Sequence, residues 1–109
     1  MNDKNKKLLS AARLWAMSNG MQELEETSEA IFFNNAGKTC GFTAVTETAE
    51  PPLGLLRELK ERCSTIYIIT NSENNALKLR ERLPKEFIVI SYSMSSYLGY
   101  EFELFKPIV

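Results

Sequence analysis

The chain contains no histidine. That absence excludes Ser-His-Asp and Cys-His catalysis and any zinc site that uses imidazole. Its two cysteines, Cys40 and Cys63, are far apart and form no Cys-x-x-Cys pair. Without an export signal they read as reduced residues in or near the core of a cytoplasmic protein. There is no G-x-G-x-x-G run and no Walker lysine, so neither Gly-rich phosphate cradle is present. No apolar run approaches the roughly 18 residues of a membrane span. Four of the first seven residues are charged, but Arg13 interrupts the apolar residues that follow, which argues against a signal peptide. A formal net charge of -1 leaves no global basic field, so nucleic acid would have to be held by a local patch.

What is present suits one globular domain. The chain has 109 residues, 44% apolar and 25% charged, enough for a single core. Its organising stretch is Ser64 to Ser72. Ile66 to Ile69 is a continuous apolar run, short and without polar alternation, which predicts a strand covered on both faces. Before it, Leu8 to Met17 places residues 8, 11, 12 and 15 on one helical face, with Asn2 or Asp3 at the start and Asn19-Gly20 as the stop. Trp15 is expected to anchor this helix on the sheet. Met21 to Thr27 reads as a short exposed strand or as an extension of the helix. Its glutamates, Glu23, Glu25 and Glu26, form with Glu29 an acidic cluster that reads as a solvated surface, with metal binding as the alternative.

Ala30 to Asn34 and Thr39 to Glu47 predict an antiparallel hairpin around Asn35-Ala36-Gly37-Lys38, with Gly41 marking a bulge. Pro51-Pro52 opens a helix with Leu55, Leu56, Leu59 and Cys63 on its apolar face. Ser72 caps a second helix carrying Ala76, Leu79 and Leu83, which Pro84 stops. Phe87 to Ile90 is the next strand, Tyr92 to Gly99 a Ser/Tyr-rich loop, and Tyr100 to Phe105 a terminal edge strand. The expected fold is a single α/β domain: a mixed sheet of about five strands, a leading helix and two right-handed crossover helices.

In such a sheet, ligands bind at the carboxyl ends of the parallel strands. Thr46, Glu47 and Thr48, then Thr70, Asn71 and Ser72, then Ser91, Tyr92 and Ser93 arrive there. Thr70, Asn71, Ser72 and Tyr92 are the candidate ligand-binding residues, because Asn71 and Ser72 precede a helix N-terminus that can receive an anion. The competing explanation is that Ser72 only caps its helix. Two basic clusters are candidates for phosphate contact: Lys4, Lys6, Lys7 and Arg13, and Lys78, Arg80, Arg82 and Lys85. Glu58, Glu61, Glu73, Glu81 and Glu86 are interspersed among the basic residues of the later helices, which fits a mixed, solvated face as well.

The order of elements, a helix ending at Asn19-Gly20, a short strand, Ser28-Glu29 before Ala-Ile-Phe-Phe, a turn, a strand ending Thr-Ala-Val-Thr-Glu-Thr, then helix, strand, helix, strand, resembles the restriction-endonuclease-like, or PD-(D/E)XK, nucleases. It is similar to the Holliday-junction resolvase and Mrr-type cores, over roughly residues 8 to 92. The resemblance implies that Glu29 and Glu47 are the catalytic and metal-binding carboxylates, with magnesium as the cofactor. Glu29 stands where the family has Pro-Asp. Glu47-Thr48-Ala49 lacks the lysine that follows the acid in the family, and the leading helix lacks the family's glutamate. The expected function is therefore a degenerate nuclease-fold module that binds in a nucleic-acid-processing context. An active magnesium-dependent nuclease and a small protein–protein interaction or regulatory subunit are the alternatives. The aromatic tail, Tyr97 to Phe105, with its unpaired strand edge, predicts a homodimer.

Overall fold

The chain is built outward from β4 (Thr65–Thr70), which is hydrogen-bonded on both sides to parallel neighbours, β3 (Lys38–Val45) and β5 (Phe87–Tyr97). This computed structural model describes residues 3–46 and 51–108. Crossover helices α2 (Leu53–Arg62) and α3 (Glu73–Arg82) join the parallel strands. β2 (Ala30–Asn35) and β1 (Gln22–Glu26) extend the sheet antiparallel beyond β3, and β6 (Tyr100–Ile108) closes the other side antiparallel to β5. The six strands lie in chain order, so the only connections that leave the sheet plane are the two helices. The mixed α/β sheet matches expectation, with six strands rather than five.

Each face of the sheet has its own apolar layer. Leu56, Leu59, Ala76 and Leu79 of α2 and α3 bury Phe32, Ile66, Ile68 and Val89. Leu8, Leu9, Ala12 and Ala16 of α1 (Asp3–Ser18) bury Ile31, Phe33, Phe42 and Ile69 on the opposite face. The alternation of Ile31, Phe32 and Phe33 between layers is the strand period of two, and burial on both faces is why Ala30 to Phe33 reads as an unbroken apolar run. Trp15 lies edge-on to Phe42 and Tyr67, with centroids 5.9 and 5.6 Å away, and tilted toward Phe105 at 6.1 Å. It anchors α1 as its sequence position suggested.

The end of α1 shows how local chemistry sets geometry. Gly20 adopts a φ of 81°. Its N–H donates to the Met17 carbonyl, and the Met21 N–H donates to the Ala16 carbonyl, at 3.1 and 3.0 Å. That pair of bonds is the Schellman motif, which uses a left-handed residue to satisfy the last carbonyls of a helix. The chain then enters β1 instead of continuing as helix, which settles the ambiguity of Met21 to Thr27.

Two expectations are corrected. Gly41 is not a bulge, because it sits in regular register between Phe32 and Ile66. A Cβ there would meet Cys63 Sγ at 2.8 Å and Leu59 Cδ2 at 3.0 Å, so the glycine lets α2 approach β3 closely. Gly41→Ala is expected to destabilise the fold by about 1–3 kcal/mol through overpacking. Urea denaturation checks it, and a midpoint equal to that of the unmodified chain would show that α2 yields freely.

The second correction concerns the predicted loop at Tyr92 to Gly99. β5 runs on as strand to Tyr97, paired residue by residue with β6 from Tyr97↔Tyr100 to Val89↔Ile108. Leu98 and Gly99 turn the chain with φ of 51° and 82°, the left-handed pair of a two-residue hairpin. β4 pairs with β5 only over Phe87 to Ser91. Residues 92–105 therefore form a two-stranded arm that projects beyond the sheet.

Candidate nucleic-acid interface

The carboxyl ends of β3, β4 and β5 do not gather all the expected residues. Thr70 is 0% exposed and shares its strand face with Ile66 and Ile68, under the α2 and α3 layer. Its hydroxyl has no hydrogen-bond partner among the described residues. Ser72 caps α3, accepting the Asn75 N–H at 3.1 Å, and Asn71 Oδ1 accepts from Asn75 Nδ2 at 2.9 Å. These bonds occupy the side chains that were candidates for holding an anion at this helix end. Asn71 and Tyr92 nevertheless meet, on the rim of a cavity of about 260 Å³ that is also lined by Lys4, Lys7, Leu8 and Met94.

A second cavity, of about 370 Å³, adjoins the first and shares Lys7 and Tyr92 with it. Lys6, Ser10, Leu14 and Glu103 complete its walls. Together the two form a groove between the N-terminal half of α1 and the root of the arm. Lys4 and Lys7, three residues apart, fall on one helix side, with Lys6 beside them. All three are exposed, and none has an ion-pair partner among the described residues. Tyr92 tilts against Phe105 at 5.0 Å and points its hydroxyl at Glu103 Oε1, 3.3 Å away. Burial, and then the Glu103 carboxylate, push the phenol pKa up, so it remains a neutral donor.

Several other charged residues are drawn off into structural pairs. Arg13 contacts Glu23 and Glu26, each at 2.6 Å, and the hydrogen bond that its guanidinium donates to Glu23 holds it above its ordinary pKa despite partial burial. Arg62 meets Glu25 at 2.5 Å and lies 3.8 Å above the Phe32 ring. A bulge in β1 makes this partition possible. The register shifts between Glu23 and Glu25, so Glu23 and Glu26 turn to the α1 face and Glu25 to the α2 face. Three of the four glutamates of the acidic cluster, Glu23, Glu25 and Glu26, are thus ion-pair partners, which sequence spacing alone did not reveal. In the second basic cluster, Arg80 donates to the carbonyls of Phe87, Leu83 and Pro84 and clamps the α3–β5 turn. Arg82 also has a partner. Only Lys78 and Lys85 of that cluster remain uncommitted.

Glu29 stands exposed at the start of β2, beside a cavity of about 240 Å³ lined by Ser28, Thr43, Pro51 and Pro52. Thr43 Oγ1 donates to the Glu29 backbone carbonyl at 2.9 Å. Glu47 lies outside the described residues. Among the described residues no group of three His, Cys, Asp or Glu side chains gathers to hold a metal. The cross-strand neighbour of this β2 end, Thr43, has its hydroxyl already spent on backbone. No helix among the described residues is long and apolar enough to cross a membrane.

No family model matches the chain. No curated protein and no solved structure matches it either.

Proposed function

We propose that this chain is a degenerate nuclease-fold module, cytoplasmic, that binds nucleic acid in the groove between α1 and the β5–β6 arm without cutting it efficiently. The observation that carries the reading is the set of three uncompensated lysines, Lys4, Lys6 and Lys7, around Tyr92 and Asn71. Ammonium groups that form no ion pair among the described residues are free to replace the cations condensed on phosphates. Tyr92 and Asn71 add neutral polar groups at the same rim. The element order supports the nuclease-like part: a leading helix, three antiparallel strands, a helix and a parallel strand. Against cleavage stands the missing lysine after Glu47, since a developing phosphorane charge needs fixed cations to stabilise it.

Fluorescence anisotropy with labelled duplex and single-stranded oligonucleotides, over a salt series, tests the reading. Three phosphate contacts predict a slope of log K against log salt of about -2 for single strands and about -3 for duplex. Absent or salt-independent binding would refute it. Incubation with magnesium should leave both probes intact. Robust cleavage that disappears in Glu29→Ala would instead establish the active nuclease.

A further inference from the structure

We infer that the arm carries a second, separate surface, which packs face to face against the same surface of a second copy of this chain. Strand alternation sorts the arm into two faces. Tyr92, Met94, Glu101, Glu103 and Phe105 lie on the α1 side, and Tyr92 and Phe105 pack on the α1 layer. The opposite face presents Tyr97 beside Tyr100, then Phe102 and Leu104, with Ser93 and Ser95 between them. These four large side chains remain 69%, 77%, 45% and 45% exposed, respectively.

Three observations select a second copy as the occupant. The first is charge. Both carboxylates of the arm, Glu101 and Glu103, are on the α1 side, and between Ser93 and Leu104 the aromatic face carries no charged residue; Lys106, next along the same face, is paired with Glu73 at 2.8 Å. An arm in water on both sides has no need of such segregation. An uncharged face also meets its own copy without like-charge repulsion and offers no charge for an acidic or basic partner to read. The second is area. Four side chains of this size and exposure offer roughly 400–500 Å² per copy. Doubled by a twofold axis, that is about 800–1,000 Å², at the low end of specific interfaces. The third is composition, because tyrosine and phenylalanine at the centre with serine around them suit an interface core within a wet rim.

The test is light scattering of the full chain, from micromolar to sub-millimolar concentration. The expected mass is that of a dimer. Phe102→Glu and, separately, Tyr100→Ser should each return the monomer mass with an unchanged circular-dichroism spectrum. Tyr100 is the more exposed of the two, so its variant decides the matter if the first fails to fold. Glu101→Gln, on the opposite face, should keep the dimer. A monomeric unmodified chain, whether solvent or another protein covers the face, overturns the inference. So does a dimer that survives both aromatic substitutions, or one that Glu101→Gln abolishes.

Discussion

Ile68→Ala is expected to destabilise the protein by about 2–5 kcal/mol, the combined effect of lost burial and the cavity left behind. Ile68 is wholly buried, sits at the middle of β4 and is paired with Thr43 on one side and Val89 on the other. Leu59, Ala76 and Leu79 close over its layer, so the site is walled by two helices and two strands and collapses poorly. A domain of this size has a total stability of roughly 5–15 kcal/mol, and the loss would move the chemical-denaturation midpoint by a large fraction of its value. Leu77→Ala, on the exposed side of α3, serves as the reference and should change stability by less than about 0.5 kcal/mol. An Ile68→Ala change as small as that would show that β4 is not the strand the core is built on.

Replacing Lys4, Lys6 and Lys7 together by alanine should abolish most of the salt dependence of oligonucleotide binding. Three duplex phosphate contacts correspond to roughly a 40-fold loss of affinity between 50 and 200 mM salt, and the triple variant should lose that response along with at least tenfold in affinity at low salt. Alanine is a good helix former, and the three side chains are exposed on α1, so the fold should survive, as circular dichroism can verify. Lys78→Ala with Lys85→Ala, on the remote cluster, should leave the slope unchanged. If the remote pair removes the slope and the α1 triple does not, the binding face lies along α3 and the groove reading is wrong.

Much of this fold was legible because its signals are local. The Gly20 stop, the Ser72 cap and the apolar faces of α2 and α3 depend on residues within one or two turns of one another. The run Ile66 to Ile69 was legible as a central strand because only burial on both faces tolerates such a sequence. The outer half of β5 was not legible. Ser91, Ser93, Ser95 and Ser96 carry little strand preference, and Leu98-Gly99 is a weak hairpin signal beside Asn-Gly. That segment is extended because β6, later in the chain, pairs with it along its whole length.

The candidate site divides in the same way. Lys4, Lys6 and Lys7 stand out in the sequence as basic residues, and Tyr92 and Asn71 as the ends of parallel strands. That the first group meets the second depends on where α1 crosses the sheet, and Trp15 sets that by packing on Phe42, Tyr67 and Phe105 from three different strands. The sorting of charges depended equally on tertiary contact. Arg13 and Lys7 look equivalent along the helix, yet one is held by Glu23 and Glu26 and the other is uncommitted. Thr70 and Asn71 are neighbours in sequence, and one is sealed in the core while the other reaches the groove. The sequence by itself determined most of the elements, their order and the coverage of the central strand on both faces, since periodicity and caps act over a few residues. Which charges remain free, which hydroxyls are spent and which aromatic face is left bare were decided only by the packing, because each depends on a partner distant in the chain.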